Sequence, residues 1–197
     1  MEQHFRLILA SGSPRRHELL RRMGYAFETC APDVDERVEG PADEVVRTLA
    51  ERKARMAAEG YLSGIVIASD TLVSLGGRAL GKPVDEEDAF SMLRALSGKE
   101  HDVFTGVCLL DAATGRASAE VVRTGVRFRE LSDAEILGYI ESGEPMDKAG
   151  AYGIQGGAGA FVEGIDGPYE NVMGFPVDDV ERMLKEFLKK KPVREGH

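Results

Sequence analysis

The chain has 197 residues, 43% hydrophobic and 30% charged, which is enough apolar material for one sizeable core. No run approaches the roughly 18 apolar residues of a membrane span, and the opening MEQHFRLILASGS lacks a secretory basic start and apolar core, so a cytoplasmic protein with no membrane partner is expected. A formal charge of −9 argues against a broad nucleic-acid face, and Cys30 and Cys108, without any CxxC, read as two buried thiols and not as a disulfide or zinc framework.

In chain order, Phe5 to Ala10 (FRLILA) reads as a strand and SGS as a tight turn. PRRHELLRRMG follows as a helix, with Pro14 at its first position and Gly24 as its stop. CAPDVDERVEG is a loop, Ala42 to Glu59 a helix, and Gly64 to Leu75 a buried apolar strand running into Asp70, with a turn at Gly76 and Gly77. Asp85 caps a helix through Leu96, stopped by Gly98. Strands near Asp102 to Leu110 and Val121 to Phe128 form a hairpin around Ala113 to Gly115. Ser132 and Glu135 have capping-box spacing for a short helix ending near Ser142. A glycine-rich stretch, Gly150 to Gly167, holds a short strand (AFVEGI), and Val177 to Lys190 is the last helix. The run Lys189, Lys190, Lys191 before Pro192 reads as a solvated helix end. Alternating strands and helices with a hairpin give an α/β class with a mixed sheet.

Several residues break local rules. Ser11-Gly12-Ser13-Pro14-Arg15-Arg16 puts two arginines in the first turn of a helix, where the macrodipole repels cations. Ser13 can cap, and free backbone N–H groups with bidentate guanidinium donors suit the turn to an anion, or else the arginines face solvent and balance Glu18 and its neighbours. Removing either arginine should therefore spare stability. Asp70, at the exit of an apolar strand, is placed to activate water or hold a cation, or simply to cap a turn with Thr71. Lys53 lies on the apolar stripe of Val46, Leu49, Ala50 and Ala57, so it faces inward or snorkels. Gly76 to Lys82 resembles a P-loop, but Pro83 stands where the magnesium-binding hydroxyl belongs, so Lys82 is only a point charge for phosphate. Asp33, Asp35 and Glu36 are either oxygen ligands for a divalent metal or a solvated acidic loop.

ILASGSPRRHELL, APDVDE, IVIASDTLV, GKP, MLRALSGKEHDVFTGV and EPMDKAGAYGIQG, in this order, resemble the Maf family of nucleotide pyrophosphatases over Leu7 to about Val177. The resemblance implies an inosine-triphosphatase-like fold, a mixed twisted sheet flanked by helices with a central cleft. A single domain over residues 1–191 with a short tail at 192–197, homodimeric and cytoplasmic, is expected. It makes Asp70 the catalytic base and a metal ligand with Glu36, gives Lys53 and Lys82 to the phosphates, and gives Ser11, Arg15 and Arg16 to the anion-binding turn. The cofactor implied is Mg²⁺ or Mn²⁺. Arg15, Thr71 and Gln155 match the branch that resembles dTTP/UTP pyrophosphatases, not the 7-methyl-GTP branch, and the Gln155 amide suits the O4 and N3–H edge of uracil or thymine. The expected reaction is cleavage of dTTP, UTP or modified uridine triphosphates to monophosphate and pyrophosphate, a house-cleaning activity. The rival reading is a nucleotide-binding regulator of cell division or septum formation with incidental hydrolysis.

Overall fold

In the computed structural model, which describes residues 3–189, seven strands form one sheet. They are β1 (Leu7–Ala10), β2 (Glu28–Cys30), β3 (Ile65–Leu75), β4 (Arg78–Leu80), β5 (Glu100–Asp111), β6 (Ala117–Phe128) and β7 (Val162–Asp166). The order is β2-β1-β3-β5-β6-β7, with β4 paired to β3 outside that path. β2, β1 and β3 are parallel, and all other pairings are antiparallel. The helices are α1 (Pro14–Arg22), α2 (Ala42–Ala58), α3 (Glu86–Leu96), α4 (Asp133–Glu141), α5 (Tyr169–Val172) and α6 (Val177–Lys189). Lys190, Lys191 and the tail 192–197 lie outside the described residues. No described helix is long and apolar enough to cross a membrane.

Strand alternation sorts the sheet's side chains onto two faces. Ile8, Ala10, Val66, Ala68, Cys108 and Leu110 pack beneath Ala50, Ala54 and Ala57 of α2, and small residues on both sides let that helix sit close. Leu7, Leu9, Ile65, Ile67 and Leu109 join the larger core with Leu19 and Leu20 of α1 and with Val180, Leu184 and Phe187 of α6.

Two features of this frame create the site. Pairing of β1 with β3 ends at Ala10↔Ala68, while β3 runs on to Leu75. The strand thus outlasts its parallel partner, and a crevice opens where β1 turns away into Ser11. Asp70 lies two residues beyond that point, in mid-strand and not at the strand exit, paired in register with Gly106 of β5. The second feature is Gly106 itself. A Cβ there would stand 2.3 Å from Val46 O and 2.8 Å from Arg47 N, so the α2 backbone rests directly on the strand. Lys53 follows Val46 by about two helical turns, on the same side of α2. Close contact at Gly106 therefore sets the lysine over β3.

The elements expected from sequence are present, with differences. β2, β4 and α5 were not expected. The two strands are three residues long and α5 is four, and β4 closes a two-residue hairpin whose Gly76 (φ 57°) and Gly77 (φ 83°) supply the left-handed backbone. The glycine-rich stretch folds mostly as short 3₁₀ turns, so its strand starts at Val162 and not at Ala160. Cys108 is buried as expected, but Cys30, on the short edge strand, is only half-buried.

Gly106→Ala forces α2 off the sheet against backbone atoms that cannot rotate away. Overpacking of this kind costs about 1–3 kcal/mol or more. A melting temperature equal to that of the wild type would contradict the close approach.

Candidate active site

The crevice is a cleft of about 920 Å³, lined from the β1–α1 turn, α2, β3, the Gly81–Lys82 loop, the Asp147–Ala149 segment and Met173–Gly174. Its centre is an ammonium held by two carboxylates. Lys53 Nζ donates to Asp70 Oδ1 at 2.6 Å and meets Glu36 Oε1 at 2.7 Å. The Lys53 and Asp70 side chains are only 14% and 12% exposed, whereas Glu36 reaches in from the loop before α2 and is 59% exposed. The bonded Lys53 ammonium holds the Glu36 carboxyl below the usual carboxylate range against partial burial, with Lys82 and Arg16 acting in the same direction. Lys82 itself is exposed on a loop whose Gly81 O accepts from Gly150 N at 2.9 Å.

The turn between β1 and α1 is not closed by the Ser13 cap expected from sequence. Ser13 occupies the N-cap position, yet its side chain makes no capping bond; its backbone N donates to Ser11 Oγ at 3.1 Å. His17 Nε2 lies 2.6 Å from Ser11 O and braces the same turn. Among the described residues, no side chain occupies the first-turn N–H groups of α1, so they stay available at the positive end of the dipole.

The two arginines of that turn do different things. Arg15 makes no hydrogen bond or ion pair among the described residues and stands at the cleft wall. Arg16 spends three of its five N–H donors on the protein: Nε on Gly174 O at 2.9 Å, one Nη on Ser69 O at 2.8 Å, and the other on Thr71 Oγ1 at 3.2 Å. Burial pulls its guanidinium below the ordinary arginine range, and Asp70 opposes that shift. Thr71 passes the network on, sharing a bond with Thr105 Oγ1 at 2.9 Å, and Thr105 Oγ1 donates to Asn171 O at 3.0 Å. Gly174 (φ 91°) has to be glycine, since a Cβ there would meet Thr71 Oγ1 at 3.1 Å and the Arg16 guanidinium at 3.2 Å. The expectation that Arg16 is repelled and dispensable for stability is therefore corrected: it ties α1, β3 and the 171–174 segment together.

A model of the family described as Maf-like protein matches residues 6–187. The chain belongs to the Maf family. It is 46% identical over 184 residues to a dTTP/UTP pyrophosphatase of Pelotomaculum thermopropionicum, covering 92% of this chain and 96% of that one. It is 49% identical to a protein of the same name in Thermococcus gammatolerans, covering 90% and 94% of the two chains, and 49% identical to another in Anaeromyxobacter dehalogenans, covering 91% and 93%.

Of the Maf positions singled out from sequence, Ser11, Arg15, Arg16, Glu36, Lys53, Asp70, Thr71 and Lys82 all line the one cleft. Gln155 does not; it is exposed on the loop after Tyr152. Sequence reasoning missed Ser69, Asn171, Gly174 and the pair Asp147–Lys148. Gly174 carried a signal, a glycine before Phe-Pro at a helix end, but a partner such as Arg16, 158 positions away, is not visible in one chain.

Glu36 and Asp70 bring hard carboxylate oxygens to one point, already occupied by a positive group. Among the described residues there is no cluster of three or more Asp, Glu, His or Cys that could hold a metal alone. Two carboxylates suit Mg²⁺ or Mn²⁺ ions that keep several waters and take further oxygens from phosphates, so the residues fit.

Arg16→Ala leaves two backbone carbonyls and the Thr71 hydroxyl short of a donor, at a cost of about 1–3 kcal/mol. Arg15→Ala should leave the melting temperature unchanged or slightly raised, because a cation opposed by the helix dipole is removed. Equal melting temperatures for the two variants would contradict the division of labour.

Proposed function

We propose that the chain hydrolyses dTTP and UTP between the α and β phosphates, releasing a nucleoside monophosphate and pyrophosphate. The observation that carries this reading is the buried Asp70 carboxylate, oriented by Lys53 and facing a cleft whose other wall is an uncapped helix N-terminus. The names of the relatives, dTTP/UTP pyrophosphatase, support the same substrates.

In this reading, Asp70 aligns a water and takes its proton as the water oxygen bonds to the α-phosphorus. The bond from that phosphorus to the bridging oxygen breaks in line, and its electron pair leaves with pyrophosphate. Lys53, Lys82 and the first-turn N–H groups of α1 meet the phosphate charge, and Arg15 adds a guanidinium from the cleft wall. Glu36 and Asp70 would hold Mg²⁺ or Mn²⁺, which supplies charge neutralisation to the phosphates when bound. Nearly all of the acceleration comes from positioning and fixed charge, with one proton moved by one carboxylate. Arg16 and Thr71 act by holding the walls of the cleft in register. Gln155, on the exposed loop after Tyr152, keeps the base-contacting role that the family resemblance implies. A homodimer in the cytoplasm belongs to the same reading and rests on family resemblance alone.

The test is release of pyrophosphate and monophosphate from UTP and dTTP by the purified protein with Mg²⁺ or Mn²⁺. Asp70→Asn should lower kcat by about 10²–10⁴-fold, the usual worth of a general base, without unfolding the protein. A variant that keeps a near-normal rate under matched metal removes Asp70 from the mechanism.

A further inference from the structure

Two bonded groups of charges line the cleft. In one, Lys53 Nζ meets Glu36 Oε1 at 2.7 Å and Asp70 Oδ1 at 2.6 Å. In the other, Lys148 Nζ donates to Asp147 Oδ1 at 2.6 Å, and no hydrogen bond or ion pair joins the two groups among the described residues. In the proposed function the phosphates sit at the first group, beside Asp70, which leaves the wall formed by Asp147, Lys148 and Ala149 for the base.

Lys148 is an unusual residue for a cleft wall. Its side chain is only 12% exposed, and its ammonium donates to Glu144 O at 2.7 Å and to Asp147 Oδ1 at 2.6 Å. Its stem passes so close to Gly153 that a Cβ there would stand 2.7 Å from Lys148 Cε. The ammonium is therefore fixed in place. Two of its three N–H groups are used inside its own segment, and one is left. Asp147 is 78% exposed, the Lys148 bond holds its carboxyl below the usual range, and its second oxygen remains an acceptor. A rigid donor thus stands beside a rigid acceptor.

That order complements an imide edge, in which a ring carbonyl accepts next to an N–H that donates. Uracil and thymine present it through O4 and N3–H. Cytosine presents the reverse, an amino donor beside a bare ring nitrogen, so its donor would meet the ammonium and its acceptor the carboxylate. We propose that Lys148 and Asp147 read the base edge, Lys148 donating to the carbonyl and Asp147 accepting from the ring N–H, and so select keto pyrimidines over cytosine. This inference rests on the proposed function and adds to it the residues that set base preference.

The experiment measures kcat/KM for UTP, dTTP and CTP, and inhibition by inorganic tripolyphosphate, in wild type, Lys148→Met, Lys148→Gln and Asp147→Asn. Losing a polar contact to the base in a desolvated site should lower kcat/KM for UTP by about 10- to 100-fold in Lys148→Met, mainly through KM. CTP should change by less than about threefold, tripolyphosphate inhibition should not move, and Lys148→Gln, which keeps an N–H donor, should recover part of the loss. Equal losses on UTP and CTP, or weaker tripolyphosphate inhibition, would mean that Lys148 binds phosphate and would overturn the inference. If neither Lys148 variant folds, Asp147→Asn at its exposed position decides, since an unchanged UTP-to-CTP ratio there also overturns it. A wild-type protein that cleaves neither UTP nor dTTP would instead bring down the proposed function.

Discussion

One ammonium between two carboxylates sets the terms for the rest of the structure. Lys53 and Asp70 are both nearly withdrawn from water, and a lysine in that position is tolerable only with its counter-charges in contact. Meeting that condition requires α2, β3 and the acidic loop before α2 to hold one relative placement. The chain supplies it by contacts that are individually ordinary: alanines under α2, a glycine at 106, and a strand that runs on past its parallel partner. In the proposed function the arrangement is also the chemistry: the ammonium that keeps a carboxylate oriented in the cleft positions a proton acceptor and offers positive charge to phosphate in the same few ångströms.

A second layer keeps the cleft open. Arg16, Thr71, Thr105 and Asn171 form a polar chain beneath its wall, and Asn171 Nδ2 donates to Val103 O, Val122 O and Thr124 Oγ1 at 3.1–3.2 Å. Bonds between buried groups are stronger than in water, so this chain fixes one geometry for the segment that carries Gly174, although Asn171 Oδ1 is buried without a partner among the described residues. On the opposite side, Tyr139 OH donates to Glu144 Oε1 at 3.0 Å, and Glu144 Oε2 accepts from Gly157 N at 3.0 Å. The glycine-rich loop is thereby pinned to α4, and a Cβ at Gly156 would overlap the Glu144 carboxylate.

Much of this was legible in the amino-acid sequence, and the reasons are local. Pro14 after Ser13, Asp85 before a helical pattern, and Ser132 with Glu135 mark helix starts by backbone chemistry within four residues, and all three starts are where they were expected. Asp70 stood out because a carboxylate interrupts an apolar run, and Lys53 because a charge interrupts an apolar stripe. What was not legible depends on distance along the chain. Arg16 looked like a free cation because its acceptors, Ser69 O, Thr71 and Gly174 O, lie 53 to 158 positions away. Lys148 and Asp147 looked like part of a motif until the fold placed them in the lining of the same cleft as Arg15. Gln155 was singled out by family resemblance, and the folded loop leaves it at the surface.

The central claim is that Asp70 directs a water to the α-phosphorus of a nucleoside triphosphate. It is tested most directly by turnover of UTP in water enriched in oxygen-18, with mass spectrometry of both products. Attack at the α-phosphorus puts one labelled oxygen into each UMP and leaves pyrophosphate unlabelled. Label in pyrophosphate, or release of orthophosphate as the first product, would place the attack at the β- or γ-phosphorus and contradict the account.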